Sequence, residues 1–324
     1  MGARGIGQGF EYLTVADEGR LRVFLDAKDL IDIVEHGTPF TLEELQSRLK
    51  KHNGTLVLGF GNVRELVAPL GTNADCFTIR AWLERLEGGP LSFIAEPYIT
   101  NEEINSAISA FGTQSSYQTI DPFVKRFDFT MRSTAASLRA TYRLADIVSD
   151  MWQQSPEVFS ADKQYPQLLA QIVAGDRRVP NRVRASQLQE NFARVIERHL
   201  VISARAAGRP SGSTFGLIRP FPASQAPELA TWIYSSPMCC PGLRLSYEVF
   251  HTFVANVRDT SKQSDLYDFA EIAVIPYVTA MTVDRRMLDY VRRAGRKLMH
   301  QDWSFKYHEH VYADVAKLAS EALP

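Results

Sequence analysis

Short apolar runs that lead to an acidic residue occur at both ends of this 324-residue chain, and they constrain its fold more than any other feature. The acidic residues are Asp26 and Glu65 near the N-terminus and Asp268 and Asp284 near the C-terminus. If the runs are parallel strands, their carboxyl ends meet at one edge of an open α/β sheet, where such sheets bind ligands. Four carboxylates there would repel one another unless a hard cation lay among them. The pattern therefore predicts a shared Mg²⁺ or Mn²⁺ site.

The N-terminal segment predicts alternating strands and helices. Residues 20–27 indicate a first strand, because apolar side chains alternate along a short β-rich run. Thr41 and Glu44 form a capping-box pattern, which predicts a helix from there to about residue 51. Residues 55–60 indicate a second, buried strand. Further helices are predicted at 29–35 and 62–69. Strands and helices that alternate with short connections predict a parallel sheet.

The middle of the chain predicts helices, and the sheet resumes near the C-terminus. Thr100 and Glu103 form a second capping-box pattern, which predicts a helix over 104–111. Beyond Asp121 the pattern is almost entirely helical. Strands are predicted at 278–283 and 305–312, and helices at 285–298 and 313–323. We therefore predict an α/β fold, a three-layer α/β/α domain with a mainly parallel sheet. Its two parts are residues 18–111 and 258–324, which a large helical insertion, residues 112–257, interrupts.

Composition narrows the class of protein. The net charge is −1, and 45% of the residues are apolar, as in an ordinary globular protein. No apolar stretch approaches the roughly 18 residues that span a bilayer, and the N-terminus does not resemble a signal peptide. Three cysteines do not make a disulfide framework. These features predict a cytoplasmic protein without a membrane partner. Arg285 and Arg286 begin a basic cluster after Asp284, which indicates either a solvated helix face or contacts with phosphate.

Each acid also has an ordinary structural explanation. Asp26 and Asp284 each stand where a strand gives way to a helix, so each could be only a helix N-cap. Glu65 lies near the start of its predicted helix, where the dipole favours an acidic side chain. Asp265 and Asp268 share one face of a helix, and either could be the inward ligand. The placement of all of them near strand ends favours a common site over independent caps.

The same segments resemble the motif set of the PIN-like nuclease domain family. Val23-Phe-Leu-Asp26 resembles the opening strand, Asn62-Val-Arg-Glu65 the helix that supplies a Glu, and Thr282-Val-Asp284 the late "Thr-x-Asp" strand end. The resemblance covers about residues 20–70 and 262–315, including Asp265-Leu-Tyr-Asp268. It implies a metal-dependent endonuclease that hydrolyses phosphodiester bonds of RNA or of single-stranded DNA. A toxin or defence-type effector would fit this activity.

The resemblance also implies the site residues and partners. The expected metal ligands and catalytic residues are Asp26, Glu65, Asp268 and Asp284, with Asp265 as an alternative to Asp268. Mg²⁺ or Mn²⁺ is the expected cofactor, and RNA or single-stranded nucleic acid the expected partner, with Arg285 and Arg286 as nucleic-acid contacts. A homodimer or a regulatory protein partner is also expected.

Two alternatives remain open from the sequence. Lys28 follows Asp26 closely, and Thr279 stands where many relatives carry another Asp, so the fold could be a catalytically inactive binding module. The other alternative is a metal-dependent phosphohydrolase that acts on small phosphates.

Overall fold

The structure is a computed structural model that describes residues 20–59, 61–62, 81–94, 96–112, 120–124, 165–207, 218–260 and 265–323. Glu65 lies outside the described residues. The strands are β1 (Arg22–Phe24), β2 (Thr55–Gly59), β3 (Leu91–Ile94), β4 (Phe123–Val124), β5 (Ala280–Thr282) and β6 (Val311–Tyr312). The N-terminal helices are α1 (Ala27–Ile31), α2 (Leu42–Lys51) and α3 (Glu96–Ala110), and residues 81–87 are also helical. The middle helices are α4 (Tyr165–Arg178), α5 (Asn181–Ser186), α6 (Leu188–Ala207), α7 (Ala226–Ser235) and α8 (Pro241–Ala255). The last helices are α9 (Asp265–Glu271), α10 (Arg285–Gln301) and α11 (Val315–Ala322).

One sheet joins the two ends of the chain. Its strand order is β4-β3-β2-β1-β5-β6, and β1, β2, β3, β5 and β6 are parallel. β4 runs antiparallel to β3 at one edge. The α/β class and the mainly parallel sheet are therefore confirmed.

Side chains alternate between the two faces of the sheet, as the strand geometry requires. Val23 and Leu25 face one apolar cluster, which contains residues of α1, α2 and α11. Phe24 faces the other, which contains residues of α8 and α10. Both faces of the sheet are therefore covered by helices, which gives three layers. This explains why β2 is buried at every position.

Local capping signals were correct in one case and wrong in another. Thr41 caps α2, and Thr41 and Glu44 make the reciprocal hydrogen bonds of a capping box. The prediction that Thr100 begins a helix is wrong, because α3 starts at Glu96 and passes through Thr100. Glu103 instead accepts hydrogen bonds from the first turn of α8. Glu103 is therefore a capping residue, as the capping-box pattern suggested, but the helix that it caps is α8 rather than its own helix.

The segment predicted as a helical insertion contributes to the α/β core. β4 lies within residues 112–257 and extends the sheet, so that stretch is not wholly helical. α8 also lies there, and its Leu245, Val249 and Phe253 belong to the apolar cluster on one face of the sheet. The domain boundaries stay a prediction. The predicted strand over 305–312 is a 3₁₀-helix, Tyr307–His310, followed by the two residues of β6.

Candidate functional site

The strand order reverses direction between β1 and β5. From β1 the chain proceeds to β2 and β3 on one side, whereas β5 and β6 lie on the other. At such a point the connections leave in opposite directions and open a crevice at the carboxyl ends of the strands, where α/β sheets bind ligands. Asp26 follows β1 and Asp284 follows β5, so both lie at this crevice.

Hydrogen bonds fix the two strand ends to each other. The backbone N–H of Asp26 donates to Thr282 Oγ1 at 2.8 Å, which joins the end of β1 to the end of β5. Burial raises the pKa of Asp26, the backbone N–H of Lys28 lowers it, and the negative charge of Asp284 raises it further. The two carboxylates are therefore close enough to repel each other. We call the carboxyl ends of β1, β5 and β6 with their following acids the acidic edge.

Asp26 and Asp284 are also helix N-caps. Asp26 Oδ1 accepts from the N–H of Lys28 at 2.9 Å at the start of α1. Asp284 Oδ1 accepts from the N–H of Met287 at 2.5 Å at the start of α10. Each cap uses one oxygen, Oδ1, and the second oxygen of each carboxylate can take another partner. The capping role and the ligand role are therefore compatible.

Asp29 is a member of the acidic edge that the sequence analysis missed. It is only 8% exposed, and its pKa is raised to about 6. Burial is the main cause, a hydrogen bond with Thr282 opposes it, and the negative charges of Asp26 and Asp314 raise the pKa further. The available signal was the spacing from Asp26 to Asp29, which places two acids on one face of the first helical turn.

The second member of the acidic edge that the sequence analysis missed is Asp314. It follows β6 by two residues, as Asp26 follows β1 and Asp284 follows β5. Its Oδ1 accepts from the N–H of Lys317 at 2.9 Å, so it caps α11. A strand end, one intervening residue and an aspartate N-cap therefore occur three times along one edge. The sequence pattern did not reveal this repeat, because β6 is only two residues long.

The end of β2 carries an amide in place of a carboxylate. Asn62 is fully buried, and its Oδ1 accepts from the N–H of Gly59 at 2.9 Å. Its Nδ2 donates to the carbonyl of Leu25 at 3.0 Å and to Glu271 Oε1 at 3.2 Å. Asn62 thus connects the ends of β1 and β2 with the end of α9. This places the buried Glu271 beside the crevice.

Asp265 is held by an arginine. Its carboxylate is fully buried, and both of its oxygens accept hydrogen bonds from the Arg286 guanidinium. Arg286 Nη1 also lies 3.5 Å from Asp259 Oδ1, and its Nε lies 4.0 Å from Asp284 Oδ2. Arg286 is therefore engaged inside the protein, and its side chain is only 18% exposed.

The remaining expected site residues are placed as follows. Asp268 is half-buried, one turn after Asp265 in α9, and Arg285 is exposed at the start of α10. Glu65 lies outside the described residues. Within the described ranges, no group of three or more Asp, Glu, His or Cys side chains is arranged to hold a metal ion. Of the four acids expected to share a metal ion, the structure places Asp26 and Asp284 at neighbouring strand ends. Asp265, the alternative to Asp268, is paired with Arg286.

Comparison of the chain with protein-family models, with curated proteins and with solved structures gave no match. Among the helices that the structure describes, none has the length and apolar character needed to cross a bilayer.

Proposed function

We propose that this protein is a metal-dependent endonuclease of PIN-like architecture, which hydrolyses phosphodiester bonds of RNA or of single-stranded DNA at the acidic edge. The observation that carries the proposal is the juxtaposition of Asp26 and Asp284 at the point where the strand order reverses. Two carboxylates from opposite ends of the chain repel each other there. The motif resemblance supports the reaction class.

The side chains at the acidic edge offer the kind of ligand atom that a hard divalent cation prefers. Mg²⁺ and Mn²⁺ take carboxylate oxygens, and Asp26 and Asp284 each have an oxygen beyond the one used for capping. Glu65 is expected to supply a third carboxylate. Of the two α9 acids, Asp268 is the proposed ligand, because Asp265 is bonded to Arg286. When bound, the cation would lower the pKa of a water and stabilise negative charge on the phosphodiester.

The protein groups around this edge have separate tasks. The N-terminal turns of α1 and α10 hold Asp26 and Asp284 in place through backbone N–H groups, so little side-chain freedom is lost when a ligand binds. Thr282 fixes the spacing between the two strand ends by accepting from Asp26. Arg285 is exposed beside Asp284 and can contact a phosphate of the substrate.

Arg286 favours a second candidate function, a catalytically inactive binding module of the same architecture. Its guanidinium already bonds to Asp265 and lies near Asp284. A protein cation at this position can neutralise the acidic edge without a metal ion. In this case the edge would be a structural centre, and a partner protein or nucleic acid would bind without being cut.

A cleavage assay separates the two functions. Labelled RNA and single-stranded DNA are incubated with the full chain in Mn²⁺, in Mg²⁺ or in EDTA. Asp26→Asn and Asp284→Asn are the test variants, because asparagine keeps the N-cap while removing the charge. Asp302→Asn is the matched control, since its Oδ1 also accepts from a backbone N–H, that of Ser304 at 2.9 Å, and it lies at the opposite end of α10 from Asp284.

We expect cutting that requires metal, is abolished in the two test variants and persists in the control. Equal activity in Asp26→Asn and wild type would refute the nuclease proposal. Binding of nucleic acid without cutting under any of the metal conditions would favour the inactive module. Growth arrest on expression that Asp26→Asn and Asp284→Asn both relieve would support a toxin.

A further inference from the structure

A pocket lined by charged and polar side chains lies along α10, away from the acidic edge. Its volume is about 470 Å³, and it is lined by Asp289, Arg292, Arg296, His308 and Glu309. Arg292 and Arg296 follow Asp284 by eight and twelve residues in the same helix. At 1.5 Å per residue, they lie about 12 and 18 Å along the helix from the acidic edge. The pocket is therefore a separate place on the molecule.

Two guanidinium groups face this pocket from the same side of α10. Arg292 and Arg296 are four residues apart, so they are neighbours on one helix face. Arg296 Nε donates to the carbonyl of Arg292 at 3.2 Å, which holds the Arg296 side chain along the helix. Within the described residues neither arginine forms an ion pair. By contrast, Asp289 on the pocket wall is paired with Arg293 at 3.2 Å.

His308 closes the pocket from the other side. It is only 7% exposed, and within the described part of the chain its Nδ1 is buried without a hydrogen-bond partner. The ring packs onto α10 at Gly295, where a Cβ would lie 2.3 Å from His308 Cγ. Glycine at this position is what lets the imidazole reach the helix surface beside the two arginines.

The electrostatics of His308 show that both arginines act on the same place. Burial lowers the pKa of His308, Glu309 raises it, and the positive charges of Arg296, His310 and Arg292 lower it. Two guanidinium groups and one carboxylate, that of Glu309, therefore act on the buried imidazole. An anion in the pocket would be attracted by both guanidinium groups.

We propose that this pocket binds a phosphate group, carried either by a free nucleotide or by a nucleic-acid backbone. Guanidinium groups match phosphate in geometry, because their N–H donors form paired hydrogen bonds with its oxygens. Within the described residues the two guanidinium groups that line the pocket form no ion pair, and the pocket has enough volume for a nucleotide phosphate. The proposal does not depend on catalysis at the acidic edge.

Binding is measured on the full chain in EDTA, so that cleavage does not interfere. Calorimetry with AMP tests the free nucleotide, and fluorescence anisotropy with a labelled single-stranded RNA tests the backbone. Arg292→Gln and Arg296→Gln are the test variants. Arg198→Gln is the matched control, because Arg198 is an exposed arginine of α6 outside the pocket. Thermal melting of each variant checks that it folds.

We expect each test variant to raise the dissociation constant about 10-fold or more, because each removes charged hydrogen bonds to phosphate. The control should bind as tightly as wild type. Weakened binding of AMP identifies a nucleotide as the source of the phosphate, and weakened binding of RNA alone identifies the backbone. Unchanged affinity in both test variants, an equal loss in the control, or a wild type that binds neither probe would overturn the proposal. Failure of the cleavage assay alone would leave these binding results as they are.

Discussion

Glu103 is a carboxylate that folding buries almost completely, to 1% exposure. Its oxygens accept from the N–H groups of Gly242 at 2.7 Å and Leu243 at 2.8 Å, which are unpaired donors at the start of α8. The Tyr277 hydroxyl donates to Oε1 at 2.5 Å. Burial nevertheless dominates these hydrogen bonds, and the pKa of Glu103 is raised from 4.5 to about 7.

The raised pKa makes the free energy of unfolding depend on pH. Because the folded protein binds this proton more tightly than the unfolded chain, the stabilisation is fully present below pH 4.5 and is lost as pH rises through about 7. Each unit of pKa shift corresponds to about 1.4 kcal/mol, so the loss is about 3 kcal/mol. Asp29, whose pKa is raised to about 6, also makes the protein less stable as pH rises, over a pH range that overlaps that of Glu103.

Glu103→Gln isolates the contribution of Glu103 from that of Asp29. The amide nitrogen of glutamine cannot accept a hydrogen bond, so one donor loses its partner and the variant is less stable by about 1–3 kcal/mol at low pH. The variant has no proton to lose, so between about pH 5 and pH 8 the wild type should lose about 2.5 kcal/mol more than the variant, and its advantage at low pH should fall to about zero or reverse in sign. Glu228→Gln, at an exposed position in α7, is the matched control and should show no such change.

Urea unfolding followed by circular dichroism at the two pH values gives these free energies. A difference between wild type and Glu103→Gln that is the same at both pH values would refute the reasoning, because Glu103 would then take up no proton on folding. Tyr277→Phe provides a second check. This variant removes a hydrogen bond that lowers the pKa of Glu103. The loss of stability that accompanies ionisation of Glu103 should therefore occur at higher pH.

Further predictions concern packing and the ion pair near the acidic edge. Gly242→Ala should destabilise the protein by about 1–3 kcal/mol in urea unfolding, because the new Cβ would lie 2.6 Å from the carbonyl oxygen of Ala273. Gly175→Ala, in α4 with no atom within 4 Å, should instead stabilise it by about 0.5–1 kcal/mol; a loss there would contradict the helix assignment. Arg286→Met should cost about 3–5 kcal/mol, because it leaves Asp265 buried without its cation. Arg286→Met combined with Asp265→Leu should recover most of that loss in thermal melting, and no recovery would show that the pair is not the cause.

The strand and helix pattern at the two ends of the chain could be predicted from local sequence, since it depends on side-chain periodicity and capping. Thr41 with Glu44 identified the start of α2, and the apolar run over 55–60 identified β2, because both signals lie within a few residues. The position of Asp284 as a helix N-cap could be anticipated in the same way. Elements of two residues, such as β4, could not, because pairing with β3 rather than their own sequence makes them strands.

Local sequence was enough to predict an α/β fold with acids after its strands, because periodicity and N-capping are properties of neighbouring residues. The tertiary structure alone decided which acids meet. It placed Asp314 near Asp29, paired Asp265 with Arg286, and brought Glu103 to the first turn of α8, far along the chain. These outcomes depend on strand order and on the burial of charge, and both arise only when distant segments pack together.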